Sequence, residues 1–256
     1  MNAQHVRPVG LKTFAQRLRE RERLVGYWIG PDGTECAAGP GYDYVGTDGR
    51  RGAAHRSSRR AATLTLGARR RSACVVRVPS PDPVAIRTAV DGGARGVIIP
   101  MIGSLEEVRA AIRACRRWAA GTRRPGGPAG AESAAVDEQV ARILMIDTPG
   151  AIAGLEAVCA TPGLDAVYVD PAGLSAAFGT RFLGDPATAE ILETELARIV
   201  GTARRAGIAC GVHCPAGDSA AEWLWRGFTF ATVSGSTTHP PQAAAAPHAV
   251  SLPLAA

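Results

Sequence analysis

Lysine is all but missing from this 256-residue chain, Lys12 being the only one. It precedes every strand that can be assigned, which argues against Schiff-base chemistry, because that needs a lysine amine inside a site. Aromatic residues make up 5% of the sequence, too few for a base-stacking surface. No RNA- or DNA-binding motif is present either, so nucleic acid is not an expected partner. No apolar run reaches the length of a membrane span and the N-terminus lacks the apolar stretch of a signal peptide. The expectation is a cytoplasmic protein without a membrane partner, whose scattered cysteines (Cys36, Cys74, Cys115, Cys159, Cys210, Cys214) stay reduced. No Gly-rich dinucleotide fingerprint follows an early strand, so no nucleotide cofactor is expected. A nucleophile elbow is also lacking, which removes the Ser/His/Asp hydrolase reading.

What is present is arginine, alanine and glycine. The formal charge of +6 is almost wholly arginine, and the composition reads as genome bias as much as selection for a polyanion. The length is about that of a (β/α)₈ barrel. Eight short apolar runs alternate with helix-like stretches: 25–29, 43–48, 74–79, 96–101, 142–147, 165–170, 208–213 and 228–233. Between them, helical periodicity marks 83–91, 104–118, 151–159, 188–205 and 219–226. This alternation predicts an α/β fold, a single-domain (β/α)₈ TIM barrel over residues 24–236, preceded by an arm and short helix at 1–23. The prolines of 237–256 rule out one continuous helix there, leaving a Pro/Ala-rich tail.

The chemistry gathers at strand ends. Two runs end abruptly in a carboxylate and turn residues, Met145-Ile-Asp147-Thr148-Pro149 and Tyr168-Val-Asp170-Pro171. Two acids on neighbouring strand ends suit a shared Mg²⁺ or Mn²⁺. The plainer alternative makes Asp147 the cap of the next helix and Asp170 an Asx turn before Pro171. The second strand also ends in an acid, Asp48, and leads into a basic loop holding Arg50, Arg51, His55, Arg56, Arg59 and Arg60. Such a run is usually a solvated face, but leaving a strand's C-terminal end it could attract an anion. Arg77 lies within an apolar run; arginine is seldom buried unpaired, so it should point into a site and meet a carboxylate or phosphate. Cys210-Gly-Val-His213-Cys214 resembles a zinc cluster, yet strand alternation separates its members, with both cysteines on one face and His213 on the other at the barrel mouth. His213 is then either a core histidine or a proton-transfer group, and His55 has the same two readings.

In order along residues 24–235, Gly26-Tyr-Trp28, Gly41-Tyr-Asp-Tyr-Val45 with Asp48, Val75-Val-Arg77-Val-Pro79, Asp82-Pro83, Gly93-Ala-Arg-Gly-Val-Ile-Ile-Pro-Met101, Ser104-Leu-Glu-Glu-Val-Arg109, Met145-Ile-Asp147-Thr148, Pro171-Ala-Gly-Leu-Ser175, Ala206-Gly207 and Gly227-Phe228 together resemble the HpcH/HpaI aldolase family. That resemblance implies a (β/α)₈ barrel on which a divalent cation, Mg²⁺ or Mn²⁺, chelates a 2-oxo acid and stabilises its enolate. It also implies an arginine at Arg77 that neutralises the oxo acid, and an aspartate at Asp48 that steadies a proton-shuttling histidine. At the histidine position this chain has Arg51, preceded by Arg50 in place of an acid. Asp147 stands where the first metal ligand is normally glutamate. The second ligand, an aspartate in Gly-Pro-x-Asp-Leu, is replaced by Gly173, while Asp170 lies three residues earlier.

The catalytic set implied is Asp48, Arg51, Arg77 and His213, with Arg50, Arg77, Pro171 and Ala172 toward the substrate and Asp147 and Asp170 toward metal. The family's C-terminal helix, which crosses to a neighbouring subunit, has no counterpart in the tail, and a homo-oligomer stays an open expectation. Two functions follow. One is a divergent carbon–carbon lyase acting on a small anionic, 2-oxo-acid-like molecule, with specialised metabolism as its expected setting. The other is a catalytically silent relative that binds a small anion or a protein partner.

Overall fold

The computed structural model of the protein describes residues 12–29, 42–49, 73–116, 138–178, 186–214 and 220–234. Within them eight parallel strands follow one another around a closed barrel: β1 Leu24–Trp28, β2 Tyr44–Asp48, β3 Ala73–Arg77, β4 Gly96–Ile99, β5 Ala141–Met145, β6 Ala166–Val169, β7 Ala209–His213 and β8 Phe230–Ser234. β8 pairs with β1 to close the ring. Each of the eight apolar runs supplies one strand, so the fold is the expected (β/α)₈ barrel.

The described helices are α1 Phe14–Arg19, α2 Pro83–Asp91, α3 Leu105–Ala114, α4 Pro149–Ala153, α5 Leu155–Cys159, α6 Pro171–Ala177, α7 Pro186–Ala206 and α8 Ala220–Trp225. Local chemistry explains their limits. The Asp82 carboxylate accepts from the Val84 and Ala85 amides, and Pro83 opens α2 with its φ already set. Ser104 caps α3 through the Glu107 amide, and the Glu107 carboxylate reaches back to the Gly103 amide at 2.7 Å. The predicted helix 151–159 is two helices, α4 and α5, which meet at Gly154. Sequence periodicity missed α6, which is short and opens directly at the end of β6.

Inward-facing residues stack in layers, as closure with period-two alternation requires. Leu24, Tyr44, Val75, Ile98, Ile143, Tyr168 and Phe230 are fully or almost fully buried inside the barrel. Phe14 and Leu18 of α1 plug its lower end. That plug is pinned by acids at the strand starts: Asp165 accepts from Arg19 Nε at 2.6 Å and the Arg142 amide at 2.8 Å, and Asp43 accepts from Arg17 Nη1 and the Val25 amide, both at 2.8 Å.

Three interior rings occupy space that a neighbouring glycine leaves. A Cβ at Gly26 would lie 2.1 Å from the Tyr44 ring, one at Gly46 2.4 Å from Trp28, and one at Gly211 2.2 Å from Phe230. These glycines are dictated by volume rather than by backbone conformation. Gly211→Ala should therefore cost about 1–3 kcal/mol through overpacking, read as a fall of several degrees in Tm by circular dichroism. Gly201→Ala, on α7, meets no atom nearer than 3.4 Å, and should leave Tm unchanged or raise it, since alanine favours helix by about 1 kcal/mol. Equal losses in both variants would show that the interior is not filled in this way.

Candidate active site

At the C-terminal mouth the inner positions turn polar. Asp48 and Arg77 are paired residues on adjacent strands, and Arg77 meets Asp48 with two nitrogens, Nη2 to Oδ2 at 2.5 Å and Nε to Oδ1 at 3.2 Å. Such a fork is the strong form of the arginine–carboxylate contact. The guanidinium also lies over the Trp28 ring, 4.9 Å from its centroid. Arg77 is buried, and its expected carboxylate is supplied by the protein itself. Nη1 takes no part in the pair with Asp48.

On the opposite arc, extending the β5–β6 register of Met145 with Tyr168 by two residues brings Asp147 level with Asp170. Both continue the inward alternation of their strands. Asp147 is not the helix cap that was one of its two readings: Thr148 caps α4, its oxygen accepting from the Ala151 amide at 3.0 Å while its hydroxyl donates to the Ile102 carbonyl. Asp147 Oδ1 instead accepts from the Met101 amide at 2.8 Å. Met101 has a left-handed φ of 58°, an arrangement that costs a non-glycine residue roughly 1–2 kcal/mol. The Asp147 and Thr148 side chains thus hold the turn after β4 in place. Asp170 does cap α6: its Oδ1 accepts from the Ala172 amide at 3.1 Å and the Gly173 amide at 3.4 Å. Ala172 therefore has its N–H committed, and Pro171, which has none, is buried.

His213 faces inward at the end of β7, whereas Cys210 and Cys214 pack outward in the layer between barrel and helices, so these three do not converge on one metal. Burial pushes the Cys210 thiol well above its ordinary range. The His213 ring packs edge-on against Trp28 with centroids 5.9 Å apart. Nε2 lies 3.1 Å from Ser234 Oγ and Nδ1 3.5 Å from the Tyr168 hydroxyl. Tyr168 donates to Thr232 Oγ1 at 2.9 Å, and the Tyr44 hydroxyl is 2.6 Å from that same oxygen. Burial raises both phenols above their ordinary range, Thr232 opposing the shift by its hydrogen bonds. Trp28, Tyr44, Tyr168, Thr232 and Ser234 were not singled out from sequence. The signal that could have found them is register, because each occupies an inward position on a strand neighbouring an already suspected residue. Arg50, Arg51 and His55 lie outside the described residues.

Among the described residues no group of three or more His, Cys, Asp or Glu is arranged to hold a metal ion. Extended register leaves Asp147 and Asp170 level at the mouth, Asp147 Oδ1 accepting from one backbone amide and Asp170 Oδ1 from two. That donor set fits Mg²⁺ or Mn²⁺ bound through two carboxylates, with water or substrate oxygens completing the shell. A Cβ at Gly173 would lie 3.8 Å from Asp170 Oδ2, so the Asp170 carboxylate sits beside the point from which a side chain at 173 would project.

The described helices include none long and apolar enough to cross a membrane. The 4-hydroxy-2-oxovalerate aldolase of Rhodococcus jostii is 32% identical over 239 residues, covering 90% of this chain and 91% of its own. The hydroxypyruvate/pyruvate aldolase of Roseovarius nubinhibens is 32% identical over 216 residues, with coverage of 78% and 83%. A crystal structure of an HpcH/HpaI aldolase/citrate lyase family protein from Burkholderia cenocepacia superposes with a TM-score of 0.70 at 31% identity, covering 86% of this chain and 91% of that one. The family profile described as HpcH/HpaI aldolase/citrate lyase matches residues 30–240, and with a closed parallel barrel bearing polar residues at its mouth, the chain belongs to that family.

Proposed function

We propose that the protein is a carbon–carbon lyase of the aldolase type, acting on a small anionic 2-oxo acid with a site that has drifted from the ordinary family arrangement. The observation that carries this reading is the two-sided mouth. Level carboxylates at Asp147 and Asp170 occupy the β5–β6 arc, and Arg77, Trp28 and His213 occupy the β7–β8–β1–β2–β3 arc. Arg77 Nη1 meets the substrate's negative charge while Asp48 holds the guanidinium plane. Asp147 and Asp170 hold the divalent cation, which when bound withdraws electron density from the 2-oxo group. His213 moves the proton. Arg51, which cannot give up a proton near neutral pH, orients and stabilises charge, with Arg50 beside it. The committed Ala172 amide leaves Pro171 and Ala172 to shape the substrate's edge of the site rather than to bond it through backbone N–H.

One set of contacts favours the silent relative as a second reading. Asp48 is paired with Arg77, Asp147 supports the Met101 turn and Asp170 caps a helix, so each charge has a structural use. Asp147→Asn separates the two, because an amide oxygen still accepts from the Met101 amide while the charge is lost. With 4-hydroxy-2-oxo acids and Mn²⁺, coupled detection of released pyruvate should show turnover that Asp147→Asn lowers by about 100-fold or more, with Tm nearly unchanged. No turnover on any oxo acid would favour the silent relative.

Metal affinity gives an independent measure. Calorimetry should find Mn²⁺ binding with a dissociation constant on the order of 10⁻⁴ M, since two carboxylates give low ligand charge and count. A Cβ at Gly173 meets only ordinary contacts at 3.6–3.8 Å, and Gly173→Asp should tighten binding at least about tenfold. Micromolar binding by the unaltered protein that survives Asp147→Ala would place the cation elsewhere.

A further inference from the structure

We infer that Met101 is a specificity-determining residue: held at the rim of the mouth by a strained turn, its side chain packs against the carbon chain that the substrate carries beyond its 2-oxo-acid end. The substrate's identity rests on the lyase reading above; the apolar contact does not.

β4 lies between the strand that bears Arg77 and the strand that leads to Asp147, so an oxo acid held by both lies next to the end of β4. Strands β2, β3, β5, β6 and β7 each bring a charged or titratable side chain to the mouth, namely Asp48, Arg77, Asp147, Asp170 and His213. β4 runs instead into Pro100, Met101, Ile102 and Gly103, with no polar side chain among them. Pro100 and Ile102 are buried, which leaves Met101, 45% exposed, as the apolar group that this sector offers a ligand.

Backbone strain singles out the same residue. Met101 has a φ of 58°, a conformation that bulky residues rarely adopt and glycine adopts freely. Among the described residues the other non-glycine case is Arg21, which follows the C-cap of α1, where a left-handed residue is an ordinary helix ending. Met101 ends no helix. Its turn is held by three contacts from the connection between β5 and α4. The Met101 amide donates to Asp147 Oδ1 at 2.8 Å, and the Thr148 hydroxyl donates to the Ile102 carbonyl. The Gly103 carbonyl packs so closely on Gly150 that a Cβ there would lie 2.4 Å from it.

All three contacts use the backbone of 101–103. Glycine at 101 would make them with less strain, so the turn does not explain the methionine. Core packing does not explain it either, since nearly half of the side chain is exposed and it joins none of the buried clusters. Strain kept at a mouth, where neither backbone nor core demands the side chain, points to a ligand. A thioether chain is apolar, unbranched and polarizable, and it adapts to a flexible alkyl group. The Met101 Cα is one bond from the nitrogen that touches Asp147, so the apolar contact falls on carbons near the anchored end. In a 4-hydroxy-2-oxo acid these are the substituent on the hydroxyl-bearing carbon, the part that leaves as aldehyde.

The series from 4-hydroxy-2-oxopentanoate to 4-hydroxy-2-oxooctanoate adds one methylene at a time. With Mn²⁺ and coupled detection of released pyruvate, kcat/KM of the unaltered protein should rise roughly threefold per methylene. Met101→Gly and Met101→Asn suit the left-handed turn and keep its amide, and in them the rise should drop below about 1.5-fold. Met101→Leu should keep most of it. An undiminished rise in Met101→Gly, a flat series in the unaltered protein, or a uniform loss at every length would overturn the inference. If no oxo acid is turned over, thermal shifts by the uncleavable 2-oxopentanoate and 2-oxooctanoate with Mn²⁺ separate the two readings. A shift that grows with chain length in the unaltered protein and not in Met101→Gly sustains the contact and removes the lyase reading alone. No growth with length removes the contact.

Discussion

A closed eight-strand barrel admits about one inward side chain from every second strand at each level, and the rest of this structure depends on that limit on interior volume. Filling it with Tyr44, Tyr168, Phe230 and Trp28 is possible because glycines at 26, 46 and 211 concede their Cβ volume to three of those rings. Rigid aromatic layers below the mouth then decide what can lie above them. The Trp28 indole floors the space between Arg77 and His213, and the hydroxyls of Tyr44 and Tyr168 reach Thr232 from two sides. Packing demand and polar architecture are thus the same fact seen at successive levels of the barrel.

Burying charge at the mouth carries its own constraint. An arginine as enclosed as Arg77 must be paired, and removing one partner of a buried pair typically costs about 3–5 kcal/mol because the other charge is left without compensation. Asp48 supplies that compensation internally. The presence of charges at the strand ends is therefore weaker evidence for a ligand than it looks from sequence, where an unpaired arginine in an apolar run seems to call for an external anion. What still points outward is geometry: a guanidinium 4.9 Å from an indole centroid with Nη1 outside its fork with Asp48, on an arc of the barrel away from Asp147 and Asp170.

The fold was legible because its signal is repetitive. Eight apolar runs at strand length, each closed by turn residues, leave few other topologies, and the ordered motifs pointed to the same barrel. Inward alternation also separated His213 from Cys210 and Cys214 before any coordinates. Legibility failed where a side chain's partner lies on another strand. Nothing local to Asp48 says that it pairs with Arg77, and nothing local to Asp147 says that its oxygen holds the Met101 amide while Thr148 takes the cap. The contacts among the Tyr44, Tyr168 and Thr232 hydroxyls were hidden for the same reason: these three read singly as strand residues of high β-propensity, and only register makes them neighbours. α6 was missed because it follows β6 with no intervening loop and is too short to show a period.

The asymmetry of the mouth gives the departures from the family pattern a common logic. Where the resemblance implies a histidine beside Asp48, this chain has Arg51, and Asp48 accepts from Arg77 with both of its oxygens. Across the Trp28 ring, His213 lies against two hydroxyls, Tyr168 at Nδ1 and Ser234 at Nε2. A carboxylate partner stabilises the imidazolium and raises basicity, whereas a hydroxyl acceptor fixes direction with less effect on charge.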